Sequence, residues 1–96
     1  MKISDIDEET EDITVEAEVK EIEPVRAIST KYGQGKLALA TIEDGTGEIQ
    51  LVLWGDQVEE TSEGDKVKVE GAFVRSFEDF LQLSIPREGS LEHLDS

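Results

Sequence analysis

The chain has 96 residues, no cysteine, and 24 acidic against 9 basic residues, for a formal net charge of −15. This length suits one domain with one core, and the lack of cysteine excludes disulfides and thiolate metal sites. There is no apolar run of about 18 residues that would span a membrane, and "MKISDIDEETED" lacks the features of a secretory signal. We therefore expect a cytoplasmic protein with no membrane contact.

The acidic charge is unevenly distributed. Residues 24–42 contain Arg26, Lys31 and Lys36 and no acid. Strong net negative charge disfavours a polyanionic partner. The Debye length at physiological salt is about 8 Å, however, so a ligand on this segment is affected more by its cations than by distant carboxylates. Chance clustering of strand-forming residues is the alternative explanation.

The first half of the chain predicts three strands. Residues 13–23 alternate, with Ile13, Val15, Ala17 and Val19 facing inward, and Pro24 ends the strand because proline cannot donate to the ladder. Gly33 and Gly35 predict a flexible loop. A second strand over 36–43 is apolar on both faces, so its core side is undecided. "DGTG", residues 44–47, predicts a hairpin turn into the third strand.

The only tryptophan of the chain lies on an unexpected face of the third strand. Ile49, Leu51 and Leu53 share one face and indicate the core, so Trp54 lies on the opposite face with Gln50 and Val52. Two interpretations remain. Trp54 either offers an exposed ring to a ligand or lies under a helix or the tail in a small outer core.

The second half predicts a short helix and two more strands. One or two helical turns follow Trp54 and end by Gly64, and the next strand has Val67 and Val69 inward. A bulge at Gly71 would turn Phe73 outward, whereas an unbroken strand would bury both Phe73 and Phe77. "SFEDF" predicts a turn before a last strand whose inward residues are Leu81, Leu83 and Ile85.

These elements predict an all-β protein, a five-stranded Greek-key OB-fold barrel with a short helix between strands 3 and 4. Closing the sheet removes the two long edges that a flat meander would leave. We expect an N-terminal lead-in over 1–12, the OB-fold domain over 13–86, and a loose C-terminal tail or short cap over 87–96.

Several motifs in this order resemble one family. Arg26, Thr30 and Lys31, "DGTG", "LVLWG" (51–55) and "EGDKVKVEGA" (63–72) are similar to archaeal single-stranded-DNA-binding proteins and the OB domains of archaeal replication protein A. The resemblance implies a groove across the second and third strands, with bases stacked on Trp54, Phe73 and Phe77 and a backbone contact from Arg26. Glu78 and Asp79 stand where relatives often carry Lys-Gly.

The remaining candidate binding residues come from position and chemistry. Cations suit phosphates, amides suit base edges, and aromatic rings suit base faces. The alternative for each is a solvated or packed side chain. The full predicted nucleic-acid-binding set is Arg26, Lys31, Tyr32, Lys36, Gln50, Trp54, Phe73, Arg75, Phe77, Phe80 and Gln82.

The predicted function is binding of single-stranded DNA with low sequence specificity in replication, repair or recombination. The alternatives are a protein-interaction OB domain that docks a basic partner, and binding of single-stranded RNA. We expect no enzyme, because the sequence has no cysteine, one histidine and no Ser-His-Asp order. We expect no metal, because Glu43, Asp44 and Glu48 lack EF-hand spacing, and no cofactor or small-molecule substrate. Other replication or repair proteins are further candidate partners of a domain expected to be a monomer in isolation.

Overall fold

The computed structural model describes residues 1–31, 33–77, 80–86 and 89–94, and for Thr30 and Phe77 the backbone alone. After a single 3-10 turn, Ile3–Asp5, seven strands and one helix follow in these ranges. They are β1 Ile13–Ile22, β2 Arg26–Thr30, β3 Gly33–Glu43, β4 Glu48–Trp54, α1 Asp56–Glu60, β5 Lys66–Phe77, β6 Phe80–Ser84 and β7 Ser90–Leu94.

Five of the strands close into a ring. β1 is antiparallel to β3 and β5, β3 to β4, and β5 to β6, while β4 and β6 run parallel. The ring order is therefore β1-β3-β4-β6-β5 and back to β1. This confirms the predicted five-stranded OB-fold, with α1 between β4 and β5, which are the third and fourth of these five strands in chain order. Because the ring is closed, each of these five strands pairs with a neighbouring strand on both sides, and none of them is an edge strand.

The two remaining strands lie outside the ring and differ from the sequence expectation. β2 pairs with the first half of β3, from Arg26 opposite Leu37 to Thr30 opposite Gly33. The flexible loop predicted at Gly33 and Gly35 is therefore a β-hairpin.

β7 forms within the segment expected to be a loose tail or short cap. It pairs with β5 from Lys66 opposite Leu94 to Glu70 opposite Ser90. A hydrogen bond of 2.9 Å between His93 Nε2 and Thr61 Oγ1 links it to the chain that follows α1. Five residues are too short for their alternation to predict a strand without knowledge of the edge that receives them.

The core fills the ring and settles the ambiguous face of β3. Ala38, Ala40 and Ile42 are buried, so Leu37 and Leu39 face outward. The other core residues are Ile13, Val15, Ala17, Val19, Ile49, Leu51, Leu53, Val58, Val67, Val69, Ala72 and Leu83, joined by Ile3 and Ile6 of the N-terminal segment. The lead-in thus contributes two core residues.

The predicted bulge at Gly71 is present. Val15 pairs with Val69 but Ile13 pairs with Ala72, so β5 carries one extra residue there. Gly71 has a φ of +70°, a left-handed conformation that suits glycine. The bulge reverses the strand's facing pattern, which buries Ala72 and turns Phe73 outward.

Candidate nucleic-acid interface

The outer surface of the ring has one charged side. Across β1, β5 and β7, the ladder aligns Glu16, Lys68 and Glu92 in a row of alternating charge. Nζ of Lys68 also lies 3.1 Å from a carboxylate oxygen of Glu70. Opposite charges across neighbouring strands stabilise a sheet modestly, so the charges on this side largely satisfy one another.

The other side is almost free of charge. In residues 37–42, 49–54, 71–77 and 80–84, Arg75 is the single charged residue, although charged residues make up 34% of the chain. The paired Glu43 and Glu48 follow at the turn end of the same side, two residues beyond Thr41 and Gln50. We call the outward side of these strands the aromatic face. Its described outward residues are Leu37, Leu39, Thr41, Gln50, Val52, Trp54, Phe73, Arg75, Phe80, Gln82 and Ser84.

Trp54 lies at one end of the aromatic face and is exposed over 40% of its surface. The ladder places Leu37 opposite Trp54, and Arg26 opposite Leu37 on β2. Helix α1 begins two residues later, but neither α1 nor β7 buries the ring. The exposed-ring interpretation therefore fits the structure better than the outer-core interpretation.

Two further exposed rings among the described residues belong to this face. Phe73 is 39% exposed and Phe80 65% exposed. Phe73 pairs with Ser84, and Phe80 pairs with Phe77. Between Trp54 and Phe73, Val52 is buried despite its outward direction, so it forms part of an apolar floor.

A polar row crosses four strands between Phe73 and Phe80. The register aligns Thr41 of β3, Gln50 of β4, Gln82 of β6 and Arg75 of β5. Nε2 of Gln82 donates a hydrogen bond of 3.0 Å to Oε1 of Gln50. The row offers a hydroxyl, amides and a guanidinium, and no carboxylate. It can donate to base carbonyls or to phosphate oxygens.

The predicted cations occupy different places. Arg26 and Arg75 are both exposed and lie beside and within the aromatic face. Lys36 shares the opposite face of β3 with Ala38 and Ala40, and its Nζ pairs with Oε1 of Glu59 in α1. That ion pair raises the pKa of Lys36 and lowers the pKa of Glu59.

The structure therefore brings together most, but not all, of the predicted binding set. Gln50, Trp54, Phe73, Arg75, Phe80 and Gln82 share the aromatic face, with Arg26 beside it. Lys31 is exposed in the β2–β3 connection, outside the strands that form the face, and Lys36 lies on the other side of its strand. Tyr32, Glu78, Asp79 and the side chain of Phe77 lie outside the described residues.

Sequence reasoning missed several residues of this face: Leu37, Leu39, Thr41 and Ser84. A usable signal was present. The turn at 44–47 pairs Glu43 with Glu48, and counting back along both strands places Leu37 opposite Trp54. Thr41 follows in the same way as the partner of Gln50.

Asp44, one of the carboxylates near the β3–β4 turn, forms hydrogen bonds within the protein. Asp44 accepts hydrogen bonds from the backbone N–H groups of Ile3 and Thr46, each at 2.8 Å. Desolvation opposes ionisation of Asp44, but the hydrogen bonds from Thr46, Ile3 and Gly47 outweigh it and lower its pKa to about 2. Among the described residues, no cluster of acidic or histidine side chains is arranged to hold a metal. Within the same ranges, no helix is long and apolar enough to cross a membrane.

These features define a class of protein. The sequence pattern of the OB-fold nucleic acid binding domain family matches residues 13–89, and the chain belongs to that family.

Particular relatives narrow the comparison. Over 83 residues the chain is 32% identical to the single-stranded DNA binding protein Ssb of Saccharolobus solfataricus. The match covers 86% of this chain and 56% of that protein, so the chain spans about half the length of this curated relative.

Two solved structures are also similar. A replication factor A related protein from Methanobacterium thermoautotrophicum is 29% identical with a TM-score of 0.79, covering 99% of this chain and 90% of that one. The OB domain of Ta0387 from Thermoplasma acidophilum has a TM-score of 0.84 at 23% identity, covering 100% and 87%, and shows the shared fold. The resemblance stated from the sequence is confirmed.

Proposed function

We propose that this domain binds single-stranded DNA with little sequence specificity and without catalysis, in replication, repair or recombination in the cytoplasm. One observation carries the proposal: Trp54, Phe73 and Phe80 are exposed on a single face of the ring. Exposed rings of this kind stack bases, at roughly 1–3 kcal/mol per base, and tolerate any sequence because every base has a π-face.

The charge distribution supports an anionic ligand on this face. The protein as a whole carries −15, yet within the face the one charge is the cation Arg75, and the acidic pair Glu43 and Glu48 lies at its turn end, away from Trp54. Arg26 adds a second cation opposite Leu37, which lies between it and Trp54 in the sheet. A polynucleotide lying here meets rings, amides and two guanidinium groups, while most acidic side chains belong to other surfaces.

The arrangement favours single strands over duplex. Paired bases cannot present their faces to a protein ring, whereas splayed bases can. The relatives support this choice, since one is named a single-stranded DNA binding protein and another a replication factor A related protein.

Intrinsic fluorescence gives a direct test, because Trp54 is the only tryptophan. Titration with oligo-dT should quench it strongly, and matched duplex should quench it much less. An RNA oligonucleotide of the same sequence measures the preference for DNA.

The net charge favours one alternative, a domain that docks a basic protein partner. In that case no oligonucleotide would bind at any salt concentration while the domain stays folded. That result would refute the DNA-binding proposal.

A further inference from the structure

A cleft of about 430 Å³ lies at the end of the aromatic face away from Trp54. Ile3 and Ile6 of the N-terminal segment line it together with Phe80 and Leu81 of β6. Thr41 and Gln50 line it as well, and both belong to the polar row. The cleft is therefore continuous with the aromatic face and extends it onto the N-terminal segment.

The N-terminal contribution to the cleft is fixed in place. Besides the bond from Ile3 to Asp44, the backbone N–H of Ser4 donates to Oγ1 of Thr46 at 3.2 Å. Ile3 is buried in the core and its side chain lies close to Gly47, where a Cβ would be 3.5 Å from Cγ2 of Ile3. The segment is thus held against the β3–β4 turn.

The chemistry of the cleft combines apolar and polar groups. Phe80 is the most exposed of the large apolar side chains in the described part of the chain. Oε1 of Gln50 already accepts from Gln82, so the two N–H groups of the Gln50 amide remain as donors. The hydroxyl of Thr41 can donate or accept. A flat ring with polar atoms at its edge matches this combination.

The charges of the cleft exclude other ligands. Among the described residues, its lining contains one ionisable residue, the exposed Glu48, and no cation. Lys20 interacts with Glu48 electrostatically but forms its ion pair with Glu18, at 2.7 Å, and lies outside the cleft lining. The carboxylate of Glu48 therefore disfavours phosphate inside the cleft. The sugar–phosphate backbone, or the phosphate of a free nucleotide, is therefore disfavoured inside, while an uncharged base is accepted.

We propose that the cleft takes one unpaired nucleobase of the same strand that lies across the aromatic face. The ring stacks on Phe80 and its edge accepts from Gln50. This proposal rests on the proposed function. Trp54 and Gln50 are four residues apart on β4, or about 13 Å. A single DNA strand must therefore be long enough to reach both ends of the face.

Fluorine NMR can observe the cleft separately from Trp54. The chain has three phenylalanines, so a fluorophenylalanine-labelled protein gives three signals, which single Phe→Leu variants assign. OB-folds bind about 4 to 16 nucleotides, so the titrations use oligo-dT of about 4 and about 12 nucleotides. The longer oligonucleotide should shift the Phe80 signal, and the shorter one should shift it much less.

Affinity measurements on variants complete the test. Phe80→Ala should weaken binding of the longer oligonucleotide roughly 5- to 150-fold, the equivalent of one stacked base, with a smaller effect on the shorter one. Thr41→Val should weaken the longer one by a lesser factor. Val25→Ala, which truncates an exposed apolar side chain outside the face, is the control and should change neither.

The outcomes separate the two proposals. If Trp54 is quenched at both lengths while the Phe80 signal stays unchanged at saturation, the cleft proposal is wrong and the DNA-binding proposal stands. If no oligonucleotide quenches Trp54 or shifts any fluorine signal, both are wrong. Equal losses with Phe80→Ala at both lengths would show that a strand too short to span the face already uses Phe80, and the cleft proposal would be wrong.

Discussion

Trp54 and Leu53 are neighbours in sequence with opposite surroundings, and truncating each to alanine tests the assignment of the two faces. Leu53 is fully buried in the ring, while Trp54 is 40% exposed. Leu53→Ala removes core packing and leaves a cavity, so it should reduce the free energy of unfolding by about 2–5 kcal/mol. Trp54→Ala should reduce it by clearly less, because much of the ring already contacts solvent.

The effect on binding should be reversed. Trp54→Ala removes a stacking surface and should cost about 1–3 kcal/mol of binding free energy, or roughly 5- to 150-fold in Kd. Leu53→Ala, measured where it remains folded, should bind almost as tightly as the parent protein. Urea denaturation followed by circular dichroism gives the stabilities, and fluorescence anisotropy with a labelled oligo-dT gives the affinities.

One result would refute this reasoning. If Trp54→Ala lost as much stability as Leu53→Ala, with affinity unchanged per folded molecule, Trp54 would be a packing residue. The aromatic face would then lose its strongest stacking candidate.

Three other predictions follow from placement. Arg75→Ala should make the log–log salt slope of DNA binding less negative by about 0.7, the contribution of one phosphate on a single strand. The control Lys36→Ala should leave the slope unchanged. Equal slope changes in the two variants would contradict the assignment of Arg75 and Lys36 to opposite faces. Gly71→Ala should lower the thermal midpoint, because φ is +70° and the new Cβ would lie 3.3 Å from Gly89 Cα; an unchanged midpoint would show that the bulge tolerates a side chain. Asp44 has a lowered pKa, so its contribution to stability is present above about pH 4 and lost as pH falls through about 2; Asp44→Asn should remove that part of the pH dependence in urea unfolding, and parallel profiles would refute the assignment.

Features set by neighbouring residues were predictable from the sequence. Alternation placed Val15 and Leu51 in the core, "DGTG" marked the β3–β4 turn, and a glycine in the middle of a strand marked the bulge at Gly71. Each depends on backbone conformation or period-two facing over a few residues, so no tertiary information is needed. The outward direction of Trp54 followed from the same alternation.

Alternation could not predict which face of β3 is buried. Both faces are apolar, so alternation allows either Ala38 or Leu37 inside. The closed ring buries the alanines and Ile42 and leaves Leu37 and Leu39 outside. The same choice places Lys36 on the alanine face, where it pairs with Glu59 of α1.

Long-range pairing decided the rest. The polar row requires β4 and β6 to lie side by side in parallel, with Gln50 next to Gln82, although they are 32 residues apart. The backbone N–H of Ile3 donates a hydrogen bond to Asp44, 41 residues away. The side chain of Ile3 is buried in the core and lines the cleft. The sequence alone determined which residues face together within a strand. Only the tertiary structure decided which strands are neighbours, because strand pairing depends on ring closure and on burial shared by distant segments.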